Sequence, residues 1–176
     1  MKSVCLMLFV VLGLALSAGT VFAKSATAEI RGTIDGSSVG GTLRLQETPE
    51  GLKVNASLNG VSPGLHGFHI HENGACTEEG KAAGGHFNPD HADHGFLYHD
   101  GFAHAHAGDL GNMNIAADGT GELEVILPGL NLTEGKYNVS GKAVILHEKE
   151  DDFGQPTGNA GGRIGCGVIA EDQLKS

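Results

Sequence analysis

The feature that most restricts the fold of this chain is an alternation of apolar and polar residues in short runs. Leu43 and Leu45 alternate with polar neighbours, and the same period of two recurs in residues 52–58 and 123–127. Residues two apart lie on the same face of a β-strand, so each run would bury one face and expose the other. The chain shows no convincing amphipathic helical pattern, and we therefore expect an all-β protein.

Turn signals separate these runs. Asp35-Gly36 and Asp118-Gly119 are typical of tight hairpin turns, and the 29 glycines suit a chain with many turns and bulges. The pattern predicts an all-β, eight-stranded antiparallel Greek-key barrel or sandwich with two long functional loops. The predicted strands cover roughly residues 26–34, 40–47, 51–60, 65–71, 110–117, 121–128, 137–147 and 164–170.

The two loops are residues 72–109 and 148–163, which are rich in glycine and lack the period of two. Loops of this length in a compact domain are usually functional or disordered. The first loop holds most of the 10 histidines of the chain. It is therefore the first place to look for a site.

The N-terminus has the composition of a secretory signal peptide. A positive start at Met1-Lys2 precedes an apolar run over 4–16, and small residues allow cleavage after Ala23. A membrane anchor is the alternative, but the apolar run is short for a spanning helix and has no stop-transfer flank. We predict a signal peptide at 1–23 and a mature domain at 24–176, exported to a periplasm or to the extracellular space.

Two cysteines remain after the signal segment, Cys76 in the first loop and Cys166 on the last predicted strand. An even pair in an exported protein is typical of a disulfide, with two unpaired thiols as the alternative. The bond would close a loop of roughly 90 residues, for which the chain-entropy model gives a little over ~4 kcal/mol. It would attach the first loop to the barrel.

The formal charge of −10 makes nucleic acid and anionic membranes poor partners. Asn55, Asn131 and Asn138 each begin an N-x-S/T triplet, which could carry a glycan in a eukaryotic secreted protein. No motif indicates an oligomeric state.

The histidines have the spacing of metal ligands. His69 and His71 in GFHIH lie two apart on a predicted strand and share a face, which makes half of a copper or zinc site. Two surface histidines are the alternative for that motif alone. His147 ends another apolar strand, and beside His69 and His71 it would complete a copper site.

A second set contains three imidazoles and one carboxylate: His86, His94, His106 and Asp109. Such a closed four-coordinate set suits zinc bound structurally, without an open position for water. The alternative is a solvated, histidine-rich loop that binds metal loosely.

Together these motifs resemble the copper–zinc superoxide dismutase family over essentially all of residues 24–176. The resemblance is carried by GFHIH (67–71), GGHFNP (84–89), HAGDLG (106–111), LHEKEDDFG (146–154) and GNAGGRIGCGVIA (158–170). It implies one copper and one zinc ion per subunit. The implied copper ligands are His69, His71, His86 and His147, and the implied zinc ligands are His86, His94, His106 and Asp109.

The resemblance also assigns residues around these ligands. His86 would bridge the two metals as an imidazolate, and Asp151 would link the outer ring nitrogens of His69 and His94. His106 is preferred to His104 because the family spaces this ligand three residues before the aspartate. His66 would be structural, His91, His99 and His104 would be solvated, and Cys76 and Cys166 would form the intrachain disulfide.

The implied activity is dismutation of superoxide to dioxygen and hydrogen peroxide, protecting against oxidative damage. Copper would cycle between two oxidation states, His86 would supply a proton, and Arg163 would attract the anionic substrate. The alternative for Arg163 is a structural bond to a carboxylate or carbonyl. The segment 152–163 has no lysine, so any lysine that steers the substrate would come from elsewhere, such as Lys142 or Lys149.

Two other functions compete with this one. A dismutase-like module could bind copper and zinc without turnover, but this chain keeps every implied copper ligand and Arg163. A zinc hydrolase would need an open zinc position, which the second set of ligands does not leave. A homodimer is compatible with the family resemblance.

Overall fold

The structure is a computed structural model that describes residues 23–173. The predicted signal peptide therefore lies outside the described residues, apart from Ala23. Within 23–173, no helix is long and apolar enough to cross a membrane.

The described chain forms nine strands, one short α-helix and one 3₁₀ turn. The strands are β1 (Ser25–Gly32), β2 (Gly40–Thr48), β3 (Gly51–Asn59), β4 (Gly64–His71), β5 (Asp109–Ile115), β6 (Gly121–Leu127), β7 (Ala143–His147), β8 (Arg163–Val168) and β9 (Ala170–Glu171). The helix α1 (Leu97–Asp100) lies between β4 and β5, where a 3₁₀ turn (Lys81–Ala83) also forms.

The first eight strands close into an antiparallel barrel, which confirms the predicted fold. Around the barrel the order is β1-β2-β3-β6-β5-β4-β7-β8, and β8 pairs with β1 to close it. Two crossings make the Greek key, because β3 lies beside β6 and β4 lies beside β7. The short β9 pairs with the other part of β1.

The period of two determines which side chains fill the barrel. Leu43 and Leu45 of β2 are buried opposite Ala56 and Val54 of β3, whereas Arg44 between them is exposed. Strand β7 differs, because all five of its residues are buried. The two long loops cover the outer faces of both β7 and β4.

One strand prediction was wrong at its start. Residues 137–147 were expected to form one strand, but β7 begins only at Ala143. Gly141 adopts a φ of 73° and donates its N–H to the carbonyl of Ile169, while Lys142 donates to Val139. These bonds, and the bridge of Asn138 with Asn131, hold the segment before Ala143 in a turn outside the barrel ladder. The last predicted strand is likewise divided into β8 and β9.

The predicted disulfide is present. Cys76 and Cys166 are bonded across 90 residues, with their Cα atoms 5.7 Å apart. The bond joins the loop between β4 and β5 to β8, next to Ala143 and Ile145 of β7. It therefore restrains a long loop that has little regular structure of its own.

Removal of this bond tests its contribution to stability. The double variant Cys76→Ser/Cys166→Ser should lower the free energy of unfolding by about 2–5 kcal/mol, because a long loop is no longer constrained in the unfolded chain. Denaturant titration of the variant and the oxidised parent measures the difference. Equal midpoints and slopes would contradict the prediction.

Candidate metal centre

Three neighbouring strands and the first long loop form the site. His69 and His71 lie on the outer face of β4, and β7 runs antiparallel beside it and ends at His147. On the other side of β4, Asp109 begins β5 opposite His69. The loop returns to β4 at His86, which forms an isolated antiparallel bridge with His71. The ladder of β4 thus places ligands that are far apart in sequence side by side.

The first group of donors contains four buried histidines, namely His69, His71, His86 and His147. One ring nitrogen from each lies within 4.8 Å of those of the others. The Nε2 atoms of His71 and His147 are 3.4 Å apart, and the ring centroids of His69 and His86 are 4.2 Å apart. The structure therefore brings together all four residues that the sequence predicted as copper ligands.

The second group contains His86, His94, His106 and Asp109, all buried. His86 Nδ1 lies 2.8 Å from Asp109 Oδ1 and 3.4 Å from His106 Nδ1, and His106 Nδ1 lies 3.1 Å from Asp109 Oδ1. Donors around a tetrahedral zinc ion at about 2.0–2.1 Å would be roughly 3.3 Å apart. The observed separations are close to this spacing, so the residues fit a small four-coordinate cation.

Two buried nitrogens give independent support for metal binding. His69 Nδ1 and His94 Nδ1 have no hydrogen-bond partner among the described residues. His94 Nδ1 lies 2.9 Å from Asp109 Oδ2, but without the alignment of a hydrogen bond. An unpaired buried polar atom costs about 1–3 kcal/mol, and coordination of a cation by these lone pairs would remove that cost.

Asp151 holds the two rings that carry these nitrogens. His69 Nε2 donates to Asp151 at 2.7 Å, and His94 Nε2 donates to the same carboxylate at 2.9 and 3.0 Å. Because a carboxylate only accepts, each ring carries a proton on Nε2, and Nδ1 is the nitrogen directed toward its donor group. Asn112 fixes Asp151 in turn, since its amide accepts from the Asp151 N–H and donates to the Asp151 carbonyl.

Comparison with known proteins agrees with this arrangement. A family model described as copper/zinc superoxide dismutase matches residues 39–169. The chain belongs to the copper/zinc superoxide dismutase family. It is 34% identical over 157 residues to an extracellular superoxide dismutase [Cu-Zn] of Brugia pahangi, covering 84% of this chain and 77% of that protein. A crystal structure of the clock protein EA4 superposes with a TM-score of 0.74 at 33% identity, covering 88% of this chain and 99% of EA4.

Burial and hydrogen bonding determine the protonation states of histidines and of Asp109 in the two groups. Burial lowers the pKa of His71 to about 2, of His147 to about 3 and of His86 to about 4, so these rings are neutral at physiological pH. Burial opposes ionisation of Asp109, but the rings of His106 and His86 outweigh it and hold the pKa of this carboxyl far below its usual range. Burial opposes protonation of His94, but Asp109 and Asp151 outweigh it and raise the pKa of this ring to about 9, so metal binding at His94 would release a proton. Neutral imidazoles beside an ionised carboxylate are the forms that bind metal.

Arg163 lies at the mouth of the site. A cleft there is lined by His71, His86, His147, Arg163 and residues 157–161 of the second loop except Gly158. Arg163 Nη1 donates to the Gly80 carbonyl and Nη2 to the Gly84 carbonyl, each at 2.6 Å. Arg163 thus makes the bonds to backbone carbonyls that were the alternative expectation, and it also lines the cleft. Two carbonyls fix the guanidinium and leave its remaining donors available.

Residues outside these groups have the predicted environments. His91, His99 and His104 are exposed. His66 is buried, with Nδ1 2.9 Å from the carbonyl of His147 and Nε2 2.9 Å from the carbonyl of Ser62.

Lys142 and Lys149, the candidate steering lysines, lie outside the cleft lining. Lys142 places its Nζ 4.0 Å from the ring centroid of Phe87, and that Nζ donates to the Glu72 carbonyl at 3.4 Å. Lys149 is exposed. Of the described residues that line the cleft, only Arg163 is cationic.

Sequence reasoning missed the way in which Gly158 packs. Its backbone adopts a φ of +78° against Asp151, and a Cβ there would lie 1.9 Å from Asp151 Oδ1 and 2.7 Å from His94 Nε2. The GNAGG motif indicates a turn-rich loop, but this contact depends on how that loop folds back on Asp151. Only the tertiary structure shows it.

A substitution at this glycine tests the support of the site. Gly158→Ala should displace the Asp151 carboxylate and weaken zinc binding by about 10–100-fold, the usual effect of losing a group that orients a ligand. Gly36→Ala is the matched control, because Gly36 has a φ of +77° with nothing within 4 Å of the added Cβ. Competition with a chromogenic chelator measures the affinities. Equal zinc affinity of the two variants would contradict the prediction.

Proposed function

We propose that this chain catalyses the dismutation of superoxide, converting two superoxide anions and two protons into dioxygen and hydrogen peroxide. The observation that carries the proposal is that His86 belongs to both donor groups. Its Nδ1 faces Asp109 and His106, which leaves Nε2 for the group formed with His69, His71 and His147. One imidazole joining two metal positions is suited to combine redox chemistry with proton transfer.

The proposed ligand assignment follows the two groups. His69, His71, His86 and His147 would hold copper, since four imidazoles suit Cu(II) and still tolerate Cu(I). His86, His94, His106 and Asp109 would hold zinc in a closed set that has no position for water. The stoichiometry would be one ion of each metal per chain. Copper, when bound, would supply the one-electron chemistry, and zinc would supply a fixed positive charge.

The protein residues would handle the proton and the substrate. His86 is positioned to hold a proton on the nitrogen that faces the first group and to deliver it to the reduced substrate. The second group restrains Nδ1 on the other side of the ring, and this keeps Nε2 in place. Arg163 would bind the small anion through the donors that Gly80 and Gly84 do not use.

We also propose that the chain is exported, with residues 1–23 as a signal peptide and 24–176 as the mature domain. The Cys76–Cys166 disulfide supports export, because such bonds persist mainly in oxidising compartments. The Brugia pahangi relative is an extracellular enzyme by name.

The first test is superoxide turnover by the oxidised protein, with copper and zinc quantified in the same sample. Turnover should scale with copper occupancy. His86→Gln should reduce the content of both metals and abolish most of the activity, because one ring serves both groups. His99→Gln is the matched control, since His99 is exposed and outside both groups.

Two results would overturn the proposal. If the parent has full copper occupancy and no turnover, the chain binds metal without catalysis. If His86→Gln retains its zinc affinity and turnover, the ring does not join the two groups.

Arg163 has a separate test. Arg163→Ile should lower kcat/KM by about ten-fold or more, because a cation that focuses the field in a cleft raises the rate of anion capture. Its copper content should match that of the parent. Arg44→Ile is the control, because Arg44 is exposed on the barrel wall. Loss of copper from Arg163→Ile at unchanged turnover per bound copper would show that the residue is only structural.

A further inference from the structure

The backbone of His94 is held by the side chain of Gln155. The Gln155 Oε1 accepts the His94 N–H at 3.0 Å, and the Gln155 Nε2 donates to the His94 carbonyl at 2.8 Å. One amide side chain thus satisfies both backbone groups of a residue that is 61 positions away. Among residues 23–173, neither backbone group of His94 forms a main-chain hydrogen bond.

The same short segment contacts the side chain of His94. Asp151 accepts from His94 Nε2, and the ring of Phe153 faces the His94 ring at a centroid distance of 6.3 Å and an angle of 21°. Phe153 also donates its N–H to the Asp151 carboxylate at 2.8 Å. Residues 151–155 therefore contact His94 at its backbone, its outer ring nitrogen and its ring face.

His94 needs such support because no strand or helix contains it. His69 and His71 lie in β4 and His147 in β7, whereas His94 lies in an irregular stretch before α1. A bond to Nε2 alone fixes one end of the ring and leaves the backbone free to shift. Backbone bonds from Gln155 remove that freedom and keep Nδ1 directed toward Asp109, which lies 2.9 Å away.

We propose that Gln155 is a positioning residue that preorganises His94 for zinc by clamping its backbone, and that the second long loop thereby controls how long the first one retains zinc. The inference rests on the proposed role of His94 as a zinc ligand. It extends that role to a residue outside both donor groups and without contact to the metal position.

Two variants separate hydrogen bonding from packing. Gln155→Ala removes the whole amide side chain, and Gln155→Met keeps its length but neither donates nor accepts as an amide does. Gln46→Ala is the control, a glutamine on the exposed face of β2. Zinc-loaded proteins are mixed with excess chromogenic chelator and the release of zinc is followed over time. Amide hydrogen exchange at His94 and the melting temperature are measured on the same samples.

We expect both Gln155 variants to release zinc about ten-fold faster than the parent and Gln46→Ala, as for other residues that orient a metal ligand. The His94 amide should exchange faster in both, while the melting temperatures stay close to that of the parent. Equal release rates in Gln155→Met and the parent would overturn the clamp. So would a lower melting temperature with unchanged zinc release, which is the result of a merely structural role.

These readouts do not depend on turnover. A parent without dismutase activity whose Gln155 variants still lose zinc faster would refute the proposed function and retain the clamp. An active parent whose Gln155 variants release zinc as slowly as Gln46→Ala would support the proposed function and refute the clamp. A parent that binds no zinc would overturn the inference, because it rests on His94 as a zinc ligand.

Discussion

The hydrogen bonds of the Asp151 carboxylate to His69 and His94 are the interaction on which the rest of the site depends. His69 belongs to β4 and His94 to the first long loop, so one buried carboxylate links the barrel, the first loop and the second loop. Because a carboxylate accepts and does not donate, it keeps a proton on Nε2 of each ring. Without it, neither Nδ1 would be held facing its donor group.

Burial of this carboxylate carries a cost that the surroundings offset. Burial opposes ionisation of Asp151, but its bonds to His69 and His94 outweigh that effect and hold its pKa below the usual range. Gly158 leaves room for the carboxylate because it has no Cβ, and Asn112 bonds to the Asp151 backbone. The site is therefore supported by a chain of contacts that reaches from the second loop into β5.

The strands and the first long loop position different histidines of the two donor groups. The barrel ladder sets the backbone positions of His69, His71 and His147 by strand pairing, and His71 also forms a bridge with His86 of the first loop. His86, His94 and His106 come from a loop that is secured by the disulfide, by Arg163 and by Gln155. Arg163 also brings positive charge to the cleft of a chain whose formal charge is −10. Local charge at a cleft, not net charge, governs the approach of a small anion.

The sequence by itself determined the strand class, the two donor groups and the disulfide. The strands and the first donor group depend on short-range regularities, namely alternation in β2 and β3 and the two-residue spacing of His69 and His71, whereas the disulfide followed from an even number of cysteines. The family resemblance carried by motifs such as GGHFNP and GNAGG implies the ligand assignment, which stays a prediction. The local pattern did not predict where β7 begins, because a turn at Gly141 interrupts the run that was expected to form one strand. Only the tertiary structure decided the closure of the barrel, the packing of Gly158 on Asp151 and the contact of Gln155 with His94. Gly158 and Asp151 lie in one irregular loop and Gln155 is distant from His94 in sequence, so no strand or helix period predicts either contact. A glycine or a glutamine in a loop acquires its role from what folds against it.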